Sequence, residues 1–106
     1  MRLIKYYQTP SETEPYKEWL LTLNWKVAAR VDAYVDRVAR GGSRSNLKSV
    51  RGEIFEIRID LGPGYRVYFG RDHLFMVLLY GGDKTSQNRD IEQALRYWRG
   101  YRATNK

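Results

Sequence analysis

"EIFEIRIDLGPGYRVYFGRD", residues 53–72, decides the fold. Apolar, aromatic and β-branched residues fill both arms, and Leu61-Gly62-Pro63-Gly64 separates them. Such arms around a Gly/Pro break predict two antiparallel strands joined by a tight turn. The first arm runs from Ile54 to Asp60 and the second from Tyr65 to Arg71. Side chains alternate along a strand, so Phe55, Ile57 and Ile59 are expected to face the core. Glu56 and Arg58 then share the opposite face. Arg58, Arg66 and Arg71 set guanidinium groups among Tyr and Phe rings, which raises the question of what they face.

Downstream, "LFMVLLY" (74–80) is continuously apolar. That predicts an interior strand buried on both faces. "GGDKTSQ" (81–87) reads as a loop, and Ile91, Ala94, Leu95 and Trp98 then recur at helical spacing. Asp90 and Glu92 near the start of this helix suit its dipole. "YRATNK" (101–106) is expected to fray.

Upstream, "RLIKYYQT" (2–9) reads as a strand bounded by Pro10. Ser11 and Glu14 have capping-box spacing, and Pro15 fits a first helical turn. Tyr16, Trp19, Leu20 and Leu23 mark one helix face. A second helix is expected from Asn24, with Val27, Ala28, Val31, Tyr34, Val35 and Val38 as its apolar stripe. Lys26, Arg30, Arg37 and Arg40 form its solvated side. Gly41-Gly42 stops it, and 41–46 is a polar loop. The expected class is α+β, in the order β-α-α-β-β-β-α. An antiparallel sheet is packed by an N-terminal helical hairpin and a C-terminal helix.

The 106 residues fit one domain, 1–106, which can bury a core without staples. With no Cys and a single His, disulfides, Cys-based metal sites and a Ser-His-Asp triad are excluded or left without parts. A net charge of +7 favours an anionic partner. Nine Tyr and three Trp tilt this toward nucleic acid, because rings and guanidinium groups stack on bases. Leu3-Ile4 is too short for a signal-peptide core, and no stretch reaches the length of a membrane span. The expectation is a cytoplasmic protein that needs no cofactor.

"GEIFEIRID" and "GPGYRVYF" (52–69), followed by "LLYGGDKTSQNRDIEQA" (78–94), resemble the RelE/ParE superfamily of toxins from type II toxin–antitoxin modules. The likeness is greatest to the addiction-module killer branch, close to HigB-type toxins. It spans nearly the whole chain and is strongest from Gly52 to Ala94. It implies a small antiparallel sheet with a helical hairpin before it and a helix after it. RelE-type members cut mRNA in the ribosomal A site, and ParE-type members inhibit DNA gyrase. Both are neutralised by a small antitoxin, in this branch commonly of helix-turn-helix type. The implied partners are therefore that antitoxin, the ribosome and mRNA, with no membrane.

RNA can be cut with its own 2′-OH as nucleophile, giving a 2′,3′-cyclic phosphate and a free 5′-OH. The reaction uses a base, an acid and cations on the developing phosphorane charge. Arg suits the last role, because its fork matches phosphate oxygens. The resemblance places Arg66, in "GYRVY", at a phosphate-binding catalytic position. Arg58 stands where RelE-like sites have a lysine, and Lys84 stands near another catalytic cation. Glu56 replaces a RelE lysine that has been proposed as the base; some relatives use a glutamate there. It is either that base or half of a structural Glu–Arg pair. A C-terminal tyrosine of some RelE members has no counterpart in "SQNRD" (86–90). Tyr65, Tyr68, Tyr97 and Tyr101 are candidates for base stacking, Tyr65 and Tyr68 first, and Lys48 and Arg51 for backbone contacts that add affinity. Arg71 reads as plain surface charge and His73 as a turn residue. The rival readings are a gyrase inhibitor without nuclease activity and an inactive antitoxin-binding regulator.

Overall fold

A computed structural model describes residues 1–105. Strand β1 (Leu3–Tyr6) leads into helices α1 (Pro15–Leu21) and α2 (Trp25–Ala39). Strands β2 (Leu47–Ser49), β3 (Phe55–Ile59), β4 (Tyr65–Asp72) and β5 (Phe75–Asp83) follow, and α3 (Gln87–Thr104) closes the fold. The class is α+β: a five-stranded mixed sheet with three helices.

The strand order is β1-β5-β4-β3-β2. The helical crossover α1–α2 carries the chain from one edge of the sheet to the other. The meander β2–β5 then returns, and β5 settles beside β1. Because a crossover separates them, β1 runs parallel to β5, whereas the other pairs are antiparallel. The wholly antiparallel sheet expected from sequence is corrected on this point. The extra strand β2 pairs Leu47 with Ile57 and Lys48 with Glu56. Three residues, two of them polar and exposed, leave no strand pattern to read.

Both faces of the sheet are covered. Ile57, Ile59, Val67, Phe69, Met76 and Leu78 pack under α1 and α2 with Tyr16, Val31 and Val35. Ile54, Tyr68, Val77 and Leu79 pack under α3 with Ile91, Ala94 and Trp98. Strand β5 is thus an interior strand buried on both faces over Met76–Leu79, as the unbroken apolar run predicts, while Leu74 stays exposed in the turn before it. A bulge between Tyr68 and Phe69 leaves Leu79 without an opposite residue. It turns Leu79 and Tyr80 to the same side, toward α3.

Strand β5 continues through Gly81 and Gly82 instead of ending at Tyr80. At Gly81 an added Cβ would overlap the Trp19 ring, so glycine here lets α1 lie on the sheet. The Ser11–Glu14 capping box does not form: Glu14 is the N-cap of α1 and its side chain makes no cap bond. Thr9 Oγ1 instead bonds the Thr13 hydroxyl at 2.7 Å and accepts from the Thr13 N–H at 3.2 Å. Asn24 does cap α2, accepting from the Lys26 N–H at 2.9 Å. Residues Tyr101–Thr104 are helical, not frayed. The Tyr101 ring stacks on Trp98 at 5.4 Å, and its hydroxyl donates to Asp72 at 2.6 Å.

Candidate functional site

The face of the sheet under α3 changes character along its length. One rung across β2–β5 is Lys48, Glu56, Tyr68 and Tyr80. The next is Arg58, Arg66 and Gly82. Arg58 and Arg66 are therefore direct cross-strand neighbours, an arrangement that like charges oppose. Glu56 offsets it. Its Oε1 accepts from Arg58 Nε at 2.8 Å and lies 4.0 Å from Arg66 Nε. Its Oε2 accepts from Gln87 Nε2 at 2.8 Å. The carboxylate is fully buried, beneath the first turn of α3. Glu56 and Arg58 do share the face opposite Phe55, Ile57 and Ile59, but alternation within one strand cannot show that α3 covers that face.

Arg66 is nearly buried, with 11% of its side chain exposed, whereas Arg58 keeps 37%. Arg66 Nη1 donates to the Tyr65 carbonyl at 3.2 Å. Its buried Nε and the buried Tyr68 hydroxyl have no hydrogen-bond partner. Burial first, then the Glu56 and Asp90 charges, raises the Tyr68 pKa. Asp90 is also raised, by burial, against a 2.5 Å bond from the Ser86 hydroxyl. It lies against Gly82, where a Cβ would collide with the carboxylate.

Beyond this buried row a cleft of about 350 Å3 opens, lined by Asp60, the 61–64 turn, Arg66 and Lys84. Gly64, at φ +83°, shapes it. A Cβ there would sit 3.4 Å from Arg66 Nη1 and 3.6 Å from Lys84 Cδ, so glycine leaves room for both cations. The Lys84 N–H donates to the Gly64 carbonyl at 3.0 Å, which ties the turn to the end of β5. Asp83 then starts a 3-10 turn by accepting from the Thr85 N–H at 2.9 Å. The Thr85 hydrogen bonds hold its pKa below the usual value. Lys84 is exposed and has no carboxylate within salt-bridge distance among the described residues, including Asp60 and Asp83. This cleft can hold an anion between one anchored guanidinium and one free ammonium.

No known family model matches the chain. An uncharacterized protein of Haemophilus influenzae is 42% identical over 84 residues, covering 77% of this chain and 84% of that protein. The chain belongs to that protein's family. That relative has no assigned activity, so the geometry carries the functional reading.

The structure gathers Arg58, Arg66, Glu56 and Lys84 in one region, with the other candidates beside it, buried beneath it or on the other face. Tyr68 is fully buried, so it is not a stacking surface. Tyr65 lies on the other face, edge-on to Trp19 at 6.2 Å. The stacking expectation for Tyr68 is corrected, because an aromatic in a strand reads alike whether it meets a base or a helix; Tyr65 stays partly exposed. Lys48 is exposed on β2, in register with Glu56, and so borders the site. Arg51 is held by Glu92 at 3.0 Å. His73 is exposed, at a turn. The sequence reading missed Gln87, Ser86 and Asp90 as parts of the site. They lie in the "GGDKTSQNRD" stretch (81–90), but Gln87 meets Glu56 only through tertiary folding.

Proposed function

We propose that this chain is a RelE/ParE-type toxin that cuts mRNA on the ribosome, with the ribose 2′-OH as nucleophile. The observation that supports this most is the Arg58–Glu56–Arg66 row, held under α3 and opening onto Lys84. In this reading Arg66 and Arg58 bind the scissile phosphate and stabilise the charge that develops on it. Lys84, across the cleft, stabilises the leaving 5′-oxygen. Both Glu56 oxygens are engaged, so Glu56 acts by holding the two guanidinium groups together. The antitoxin neutralises the protein by covering this cationic row.

A cell-free translation reaction with defined mRNA and primer extension tests the proposal. Cuts that require ribosomes and vanish with Arg66→Ala are expected. Intact mRNA alongside normal translation would sink the nuclease reading. One observation favours a gyrase inhibitor instead: the buried, fully bonded Glu56 is not placed to take a proton from a 2′-OH. That reading predicts inhibition of gyrase supercoiling with mRNA left whole.

A further inference from the structure

Arg2, Arg44 and Arg71 meet at the other end of the sheet. They line a cavity of about 140 Å3 with Val38, Gly41 and Leu47. Arg71 lies five residues beyond Arg66 on β4, roughly 17 Å away at strand rise, and its odd position turns it to the opposite face. The cluster is therefore separate from the cleft at Lys84. None of the three arginines has a carboxylate within salt-bridge distance among the described residues. Burial and the charges of Arg2 and Arg44 lower the Arg71 pKa, as expected for guanidinium groups crowded together without an anion.

Two of these groups are held in place. Arg2 Nη1 donates to the His73 carbonyl at 2.9 Å. The Arg71 guanidinium lies 4.0 Å from the centre of the Phe55 ring, which itself stacks on Phe69. Arg44 opens a 3-10 turn after Ser43, whose φ is +51°. Like charges brought together on fixed supports oppose the fold unless an anion joins them. Planar forks around a small cavity suit the tetrahedral oxygens of phosphate.

We propose that Arg2, Arg44 and Arg71 form a second phosphate-binding site, which takes a backbone phosphodiester of RNA at a distance from the cleft. The choice of RNA rests on the functional reading above; the site itself does not. It supplies affinity and register, as backbone contacts do. A single chain then grips its nucleic acid at two points, on two faces of one sheet.

The test is binding of a short labelled single-stranded RNA to the full chain over a range of salt, without ribosomes. Each phosphate contact on a single strand contributes about 0.7 to the slope of log affinity against log salt. The triple variant Arg2→Gln/Arg44→Gln/Arg71→Gln removes the grip on that one phosphate and is expected to lose about 0.7 in slope and about tenfold in affinity at low salt. Arg44→Glu alters one exposed side chain and keeps the test valid if the triple variant unfolds. It should also flatten the slope. An unchanged slope in Arg44→Glu overturns the proposal. So does a patch that binds polyglutamate but not RNA, which would assign it to an acidic protein partner. If Arg44→Glu flattens the slope while the wild-type chain leaves mRNA intact on ribosomes, the nuclease reading falls and this site stands.

Discussion

The two faces of one sheet are built to different rules. The face under α1 and α2 is apolar from Ile59 to Leu78, buried among aliphatic and aromatic neighbours, and Arg71 stands at its far edge beside Met76. The face under α3 is apolar at one end, around Val77, Leu79 and Trp98, and ionic at the other, around Glu56 and Arg66. Apolar burial lowers free energy in proportion to area and asks little of geometry. A buried carboxylate must be paired and hydrogen-bonded to be tolerated at all. The ionic end therefore depends on Gln87 and Arg58 holding their places, and the apolar face does not. A protein that needed only stability could have filled the Glu56 position with a hydrophobe. The ionic row makes sense as the support for a surface that meets an anion.

Neighbouring residues on β3 test that contrast. Ile57→Ala opens a cavity in the apolar face and should cost about 4 kcal/mol in denaturant unfolding. The cationic row would stay assembled in the fraction that remains folded. Glu56→Ala should cost about 3 kcal/mol, because it leaves Arg66 buried beside Arg58 without an anion. The part-exposed Arg58 can turn to water, which keeps the loss at the lower end of the range. If Glu56→Ala were as stable as the wild type, the ionic end would not be held as described. Glu56→Gln keeps the shape and removes the charge. It should bind RNA with a weaker grip at the cleft while leaving the salt slope from Arg2, Arg44 and Arg71 in place.

The apolar end of the α3 face carries a smaller effect with a pH signature. Burial, then the hydrogen bond to Asp72, pushes the Tyr101 pKa up to about 12. Below the ordinary tyrosine value, near pH 10, both folded and unfolded chains keep the proton and the stability is fully present. Between about pH 10 and 12 the unfolded chain releases it first, so stability falls as pH rises. Tyr101→Phe should lower stability by about 1 kcal/mol at neutral pH and flatten that alkaline slope, read from thermal melts. Tyr16 and Tyr68, also raised, would preserve part of the slope. Arg40→Ala, which breaks the exposed pair with Asp36 on α2, should change stability by less than about 0.5 kcal/mol. A larger loss there would mean that surface charge, and not the two sheet faces, sets the stability.

Much of the fold was legible along the chain. Period-2 alternation, the Gly/Pro turn, the unbroken run at 74–80 and helical spacing at Ile91–Trp98 reflect local rules that hold wherever the segment ends up. Phe55 and Ile57 announced a strand, and Val31 and Val35 announced a helix, with no knowledge of each other. The short β2 was missed because backbone pairing alone makes it. The strand at β1 was read, but its parallel pairing was missed because its partner lies some seventy residues downstream in the register Leu3–Phe75. The candidate cations at 58, 66 and 84 were also named from sequence, as residue types and motif positions.

The sequence by itself determined the α+β class, the order of most elements and the excess of cations. Only the tertiary structure decided which face each residue meets. Placing α3 over Glu56 turned an apparently open carboxylate into a buried support. The same packing enclosed Tyr68, and the fold of the sheet brought Arg2, Arg44 and Arg71 together from three distant segments. The physical reason is range. Propensity, alternation and turn chemistry act over a few residues, whereas burial and charge pairing depend on what the rest of the chain delivers to the same place.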